Sequence, residues 1–159
     1  MSNFQKLSLF LLRITTGWLL FYAGLTKLMN PTWSAASYLT TAKTFSGLYG
    51  WLASPSMLPF VDFINEWGLT LIGAALILGI FVRFSGIAGA ILMLLYYFPV
   101  LEPGLVIAHG WLVDEHIIYA AGLLTLASWR AGRVWGLGNC CANLPSCANS
   151  PKLRRWLAE

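Results

Sequence analysis

Four long apolar runs constrain this chain more than any other feature of its sequence. They occupy residues 7–29, 62–83, 84–100 and 111–129. A membrane-spanning helix needs about 20 mostly apolar residues, and each run reaches or approaches that length. Only 10% of the residues are charged, whereas an average soluble domain carries about 25%. The sequence therefore predicts an all-α integral membrane protein built as a four-helix bundle.

The segment between the first two runs, residues 30–61, does not read as an ordinary aqueous loop. It contains three prolines, and its aromatic residues include Trp33, Tyr38, Phe45, Tyr49 and Trp51. Tryptophan and tyrosine are enriched at the headgroup depth of membranes. We therefore expect this segment to lie on the membrane surface as a partly helical, amphipathic stretch.

The charged residues indicate how the spans cross the membrane. With a cytoplasmic N-terminus, only two of the ten lysines and arginines, Lys27 and Lys43, lie on the outer side. This bias follows the positive-inside rule. We expect a four-span protein of the cell membrane with cytoplasmic termini, a membrane domain at residues 1–135 and a cytoplasmic tail at residues 136–159. Because the basic residues lie at the ends of apolar runs, the net charge of +4 does not indicate nucleic-acid binding.

Two cations interrupt the first run, and their spacing favours one face of a helix. At 100° per residue, five residues fall within about 80° of one another, and these are Arg13, Gly17, Leu20, Gly24 and Lys27. Glycines permit close helix packing and charges avoid lipid, so we expect this face to pack inside the bundle. The two charges are roughly 21 Å apart along the helix and cannot share a partner.

Arg13 is predicted to face the interior at a depth where the spans carry no acidic residue. Its guanidinium stays charged at any accessible pH, so its donors need acceptors. Backbone carbonyls, a lipid phosphate, a bound anion and nearby hydroxyl groups all stay open as partners. The hydroxyl groups are those of Thr15, Thr16, Thr125 and Ser128. Snorkelling to headgroups is the alternative for both Arg13 and Lys27.

Four residues toward the other end are candidates for carrying protons, and these are Glu66, Asp114, Glu115 and His116. Histidine titrates near neutral pH, which suits it to proton transfer. We expect Lys27 to converge with at least one of the three carboxylates, because pairing offsets the cost of burying a charge. Helix capping by Glu66 or Asp114, and simple interfacial hydrogen bonding by His116, are the plainer alternatives.

Neither the histidines nor the cysteines predict a metal or a haem. His109 and His116 lie on one stretch, whereas a haem held between helices usually takes its ligands from different elements. The three cysteines, Cys140, Cys141 and Cys147, are one short of a four-thiolate site. We expect plain thiols in the reducing cytoplasm, with acylation as the alternative.

Three stretches of the chain resemble the DoxX/DoxD family of small four-helix membrane proteins. They read RITTGWLLFYAGLTKL, NEWGLTLIGAALILGIFVRF and VDEHIIYAAGLLTLA, and the resemblance covers about residues 7 to 130. DoxD-like members include the small membrane subunit of thiosulfate:quinone oxidoreductase, which passes electrons from thiosulfate to membrane quinone. The resemblance implies the fold more strongly than the reaction. It points to quinone as the cofactor and to a sulfur oxyanion as the substrate.

Two functions from different classes stay open. In the first, the chain is a membrane subunit of a quinone-linked oxidoreductase. Arg13, Lys27 and Arg83 would then bind the quinone, and the four proton-carrying candidates would supply protons. In the second, the chain is a non-catalytic scaffold of a larger membrane complex, which its small size and glycine-rich faces favour. In both cases the expected partners are the lipid bilayer and either other membrane subunits or further copies of the chain.

Overall fold

The computed structural model describes residues 1–101, 106–107 and 110–138, and this part of the chain is almost entirely helical. Its helices are α1 (Asn3–Leu28), α2 (Ala36–Thr40), α3 (Ser46–Leu52), α4 (Leu58–Leu78), α5 (Val82–Val100) and α6 (Glu115–Ser128). A short antiparallel pair, β1 (Val106–Ile107) and β2 (Gly110–Trp111), precedes α6, and a 3₁₀ turn (Ala131–Arg133) follows it. The prediction of an all-α chain is confirmed.

Among the described residues, three helices are long and apolar enough to cross a membrane, and these are α1, α4 and α5. They contain 26, 21 and 19 residues. At about 1.5 Å per residue their lengths are roughly 39, 32 and 29 Å, which matches the thickness of a bilayer core. The 14 residues of α6 extend roughly 21 Å and fall short of that thickness.

Local sequence signals determine where these helices begin and end. Ser2 caps α1 with a reciprocal pair of hydrogen bonds to Gln5, in which each side chain accepts from the other residue's backbone N–H. α4 begins and ends earlier than the apolar run suggests. Pro59 suits the first turn of a helix. Gly79 ends α4 in the left-handed conformation, with a φ of 70° that glycine adopts without strain.

α1 packs most closely on α4, and glycines on both helices allow their backbones to approach. A Cβ atom on Gly17 would lie 3.0 Å from Leu76 Cβ and 3.1 Å from the carbonyl oxygen of Gly73. A Cβ on Gly24 or Gly73 would also meet the facing backbone. The face of α1 expected to pack inside is confirmed, since its buried residues are Leu9, Arg13, Gly17, Leu20 and Gly24.

The segment expected on the membrane surface contains α2 and α3, and it folds against the C-terminal end of α5. The Tyr49 side chain is buried, and its hydroxyl donates a hydrogen bond to the carbonyl oxygen of Leu95 at 3.0 Å. The Tyr38 hydroxyl donates to the carbonyl oxygen of Tyr96. The segment is partly helical, as predicted, and Phe45 and Trp51 are exposed. The headgroup depth of its rings stays a prediction.

The chain after α6 returns to the end of α4. The backbone N–H of Leu137 donates to the carbonyl oxygen of Leu78 at 2.9 Å, and that of Gly138 donates to Gly79 at 3.3 Å. Packing therefore continues past the domain boundary expected at residue 135. His109, the three cysteines and residues 139–159 of the predicted tail lie outside the described residues.

Candidate functional site

Arg13 is the one charged side chain that is fully buried among the described residues, with 1% of its surface exposed. Its Nη1 donates to the carbonyl oxygens of Ala131 at 2.7 Å and Val134 at 2.9 Å, and its Nη2 donates to Trp135 at 3.3 Å. All three acceptors belong to the chain that follows α6. The interior position predicted for Arg13 is confirmed, and its partners are backbone carbonyls.

Two glycines make room for this guanidinium. A Cβ atom on Gly79 would lie 2.9 Å from Arg13 Nη1, and one on Gly136 would lie 3.0 Å from the same atom. The Phe10 ring lies 5.4 Å from Arg13 Cζ, and the buried Nε has no hydrogen-bond partner among the described residues. Arg13 thus joins α1, the end of α4 and the chain after α6 through protein contacts.

At the opposite end of α1, a cavity of about 550 Å³ opens between the helices, and we call it the polar cavity. Its walls come from α1, α4, α5, α6 and the stretch 33–38. The apolar wall includes Leu19, Leu20, Ala23, Leu69, Met93 and Val100. The polar lining residues include Lys27, Ser34, Ser37, Tyr38, Tyr96, Glu115, His116 and Tyr119. Small-molecule sites typically measure about 300–1,000 Å³ and combine apolar walls with a few convergent polar groups. The polar cavity has both properties.

Lys27 brings a half-buried cation to this cavity. Its Nζ donates a hydrogen bond to the Tyr96 hydroxyl at 3.2 Å and lies 4.9 Å from the centre of the Trp33 ring and 5.3 Å from that of Tyr96. Aromatic faces attract a cation through their quadrupole. No carboxylate forms an ion pair with Lys27 within the part of the chain that the structure describes. Since an ammonium has three donors, Lys27 keeps donors for a ligand.

Tyr96 connects Lys27 to a buried amide. The Tyr96 hydroxyl donates to Asn65 Oδ1, and Asn65 Nδ2 donates to the carbonyl oxygen of Val61 at 3.1 Å. Asn65 is only 7% exposed, so its amide needs hydrogen-bond partners. These two bonds supply one partner to its oxygen and one to its nitrogen. This chain of bonds orients the Tyr96 hydroxyl so that it accepts a hydrogen bond from Lys27.

His116 enters the cavity from the first turn of α6, and Asp114 orients it. His116 Nδ1 lies 2.7 Å from Asp114 Oδ2, while Asp114 Oδ1 accepts from the backbone N–H of Ile117 at 3.2 Å and caps α6. An ionised carboxylate only accepts hydrogen bonds, so His116 Nδ1 carries the proton and Nε2 is left for another partner. The imidazole ring lies 5.8 Å from the Tyr96 ring.

Tyr38, on α2, closes one side of the polar cavity. Burial, together with the neighbouring Tyr49 and Asp114, raises the pKa of Tyr38 to about 12. Its ring meets that of Tyr96 edge-on at 5.9 Å between centroids. Its hydroxyl already donates to a backbone carbonyl, so Tyr38 shapes the cavity and does not exchange its proton near neutral pH.

The DoxX family model matches residues 8–102, which is more than half of the chain. This chain belongs to the DoxX family. No curated protein and no solved structure matches it. The match runs from α1 to the end of α5 and includes Lys27, Asn65 and Tyr96, but it stops before Asp114 and His116. One wall of the polar cavity in this DoxX protein is therefore built by residues beyond the matched region.

Several of the predicted site residues come together at the polar cavity. Lys27, Glu115 and His116 line it, and Asp114 orients His116. Glu66, half-buried on α4, is the carboxylate whose charge acts on Lys27. The contacts of Lys27 Nζ nevertheless go to an aromatic hydroxyl and two ring faces, where sequence reasoning expected a carboxylate.

The other two predicted residues, Arg13 and Arg83, are far from the polar cavity. Arg13 lies roughly 21 Å from Lys27 along α1. Arg83 is an exposed residue in the first turn of α5, close in sequence to the end of α4. The structure therefore does not bring the three predicted quinone-binding cations together at one site.

Sequence reasoning missed Trp33, Tyr38 and Tyr96, which line the polar cavity. It also missed Asn65, which accepts a hydrogen bond from the Tyr96 hydroxyl. The sequence did contain one signal for Asn65, because an asparagine at the start of an apolar run needs hydrogen-bond partners. The partners themselves are distant in the chain. Lys27 and Tyr96 are 69 residues apart, and Asn65 and Tyr96 are 31 apart.

Proposed function

We propose that this DoxX protein is the quinone-binding membrane subunit of an oxidoreductase that passes electrons from a sulfur compound to membrane quinone. The observation that carries the proposal is the polar cavity, in which Lys27 and His116 reach the same apolar-walled space. A quinone head suits such a cavity, because its ring needs apolar walls and its two carbonyl oxygens need hydrogen-bond donors.

Lys27 would hold one quinone oxygen. Negative charge accumulates on this oxygen as electrons arrive, and a prearranged cation in a site with little water stabilises such charge strongly. Trp33 and Tyr96 position Lys27 Nζ through their ring faces and a hydrogen bond. Among the described residues, one hydrogen bond uses one of the three Nζ donors, so Lys27 could donate to a ligand.

His116 would supply protons to the reduced quinone. Each quinone takes two electrons and two protons to become a quinol, and the electrons would come from a partner subunit that oxidises the sulfur compound. His116 Nε2 would donate a proton while Asp114 stabilises the charged imidazole. Glu115, exposed at the edge of the cavity, would return protons from solvent to His116.

We also infer that α6 is a fourth span and that the Arg13 end of the helices faces the cytoplasm. Exposed tryptophans, Trp111 and Trp129, lie just beyond the two ends of α6, as expected for headgroup anchors. The described cations at the Arg13 end are Lys6, Arg13, Arg83, Arg130 and Arg133. Labelling of the tail cysteines tests this topology, since labelling by an impermeant reagent from the outside would contradict it.

Quinone retention tests the proposed function most directly. The parent protein and Lys27→Met are purified from membranes and extracted with organic solvent, and the released quinone is quantified by its ultraviolet absorbance. We expect quinone from the parent, little from Lys27→Met and an intermediate amount from Lys27→Arg. Lys6→Met is the matched control, because Lys6 is on the same helix but at the opposite end from the cavity. A parent that releases no quinone and binds none when titrated would overturn the proposal.

The scaffold alternative has one observation in its favour. An apolar groove of about 580 Å³ runs between α4 and α5 at the Arg13 end, and large exposed side chains line it, including Leu71, Leu78 and Phe84. Such a groove suits a neighbouring transmembrane helix. A parent that carries no quinone but copurifies with a fixed partner would favour this function.

A further inference from the structure

A second cavity, of about 340 Å³, lies beside the polar cavity, and we call it the apolar cavity. It is enclosed by α2 and α3 on one side and by α4 and α5 on the other. The lining is mainly aliphatic and aromatic, with Leu39, Leu52, Val61, Ile64, Leu92 and Leu95 among its residues. Its volume falls within the range of about 300–1,000 Å³ seen for ligand pockets.

Four polar side chains at the walls of the apolar cavity, those of Tyr38, Tyr49, Asn65 and Tyr96, already have partners. The Tyr49 hydroxyl donates to the carbonyl oxygen of Leu95, and the Tyr38 hydroxyl donates to that of Tyr96. Asn65 is bonded at both its oxygen and its nitrogen. A polar occupant would therefore lose its bonds to water without gaining new ones, whereas an apolar occupant loses nothing. The cavity selects a hydrocarbon.

The two cavities are neighbours across one pair of rings. Ala35, Tyr38 and Tyr96 line both of them. Tyr38 and Tyr96 meet edge-on at 5.9 Å between centroids, and their rings form part of the wall of each cavity. A ligand whose polar head lies against Lys27 is thus one ring away from a purely apolar space.

The apolar cavity also reaches the outside of the protein at a hydrophobic rim. Three large side chains in its lining are more than one-third exposed, at 55% for Trp51, 58% for Phe60 and 41% for Ile64. Trp51 belongs to α3, and Phe60 and Ile64 belong to the first third of α4, a helix long and apolar enough to cross a membrane. A bound hydrocarbon chain longer than the cavity could extend through this rim into lipid.

We propose that the apolar cavity takes the hydrocarbon chain of the quinone whose head occupies the polar cavity. The chain would pass beside Tyr38 and Tyr96, whose rings line both cavities. The rim at Trp51, Phe60 and Ile64 would release the rest of the chain into the bilayer. This inference rests on the proposed function. It adds that the site selects quinones that carry a chain over free quinone heads.

Filling the apolar cavity tests the inference. Parent and variant proteins are placed in nanodiscs of the same lipid, and two probes are titrated: a benzoquinone with a decyl chain and the same benzoquinone without it. Ile64→Trp should lower the affinity for the decyl probe by at least about tenfold, since each methylene group displaced from the cavity costs roughly fourfold in affinity. The chainless probe should stay within about twofold of its parent affinity. Identical nanodiscs cancel the partitioning of the probe into lipid.

Two matched controls distinguish the effect of filling the cavity from the general effect of adding a large side chain. Ile118→Trp makes the same replacement at an exposed position of α6 that lines neither cavity. Leu95→Trp fills the apolar cavity from α5, and Leu94→Trp is its neighbour outside the lining. We expect Leu95→Trp to repeat the effect of Ile64→Trp, and Ile118→Trp and Leu94→Trp to leave both affinities unchanged.

The outcomes separate this inference from the function on which it rests. If the parent binds the chainless probe and Lys27→Met does not, but Ile64→Trp leaves the decyl probe unchanged, the chain site is overturned and the quinone function stands. If Ile64→Trp releases a bound phospholipid and affects neither probe, the cavity belongs to a lipid chain and the inference is wrong. If the parent binds neither probe, both proposals fall.

Discussion

The hydroxyl of Tyr49 donates a hydrogen bond to the carbonyl oxygen of Leu95 at 3.0 Å. In an unbroken helix this carbonyl would accept from the backbone N–H of residue 99, but that residue is Pro99, which has no N–H. The side chain of α3 thus replaces the backbone bond that proline removes from α5. This hydrogen bond holds the segment between α1 and α4 against the C-terminal end of α5.

Tyr49→Phe should lower the free energy of unfolding by about 0.5–1.5 kcal/mol, because it removes the hydroxyl that donates to the Leu95 carbonyl oxygen. Adding Pro99→Ala should recover part of this loss, since the new N–H can donate to Leu95. Thermal unfolding in detergent, followed by circular dichroism, measures both effects, with Tyr22→Phe on the exposed side of α1 as the control. Strictly additive effects of the two substitutions would contradict the assignment.

Arg13→Gln should destabilise the protein by at least about 1.5–3 kcal/mol, because its bonds to three carbonyl oxygens are charge-assisted and one amide cannot replace them. The chain after Trp129 should become sensitive to protease while α1 stays intact. Lys6→Gln is the control, since Lys6 is near the start of the same helix. A folded Arg13→Gln protein that resists protease but loses quinone would instead place Arg13 in the binding site.

His116→Gln should slow quinone reduction by the assembled complex by about 10²-fold, the lower range for loss of a general acid. Asp114→Asn should slow it less, and it should preserve the melting temperature because asparagine caps helices as well as aspartate does. Turnover of each variant relative to the parent distinguishes the two roles, since only His116→Gln removes the proton donor itself. A His116→Gln protein with unchanged turnover would remove His116 from the proton path.

Alkaline pH should destabilise the protein through Tyr38. Burial raises the pKa of Tyr38 from 10.0 to about 12 in the folded state, so the unfolded chain loses this proton first. The stabilising contribution is therefore complete below pH 10.0 and is lost as the pH rises through about 12. Tyr38→Phe should flatten the decline of the melting temperature across this range. A parent and a variant with parallel declines would show that Tyr38 does not titrate as described.

Much of the architecture could be predicted from short-range patterns. The long apolar runs predict the helices of a membrane protein, because a helix in lipid satisfies its own backbone bonds and its length must match the bilayer. The spacing of Arg13, Gly17 and Gly24 predicts the buried face of α1, because helical geometry is set by neighbouring residues alone. The sequence also predicts that Arg13 needs hydrogen-bond acceptors, since a guanidinium cannot lose its charge.

Only the tertiary structure shows which groups are the hydrogen-bond partners of Arg13 and Lys27. Arg13 bonds to the carbonyl oxygen of Ala131, 118 residues away, and Lys27 bonds to Tyr96, 69 residues away. Every residue carries a carbonyl oxygen, so a sequence shows that a donor needs an acceptor without showing which one packing brings to it. Charge signs suggested a carboxylate for Lys27, but the packing of α5 and the stretch 33–38 around α1 surrounds that cation with aromatic rings.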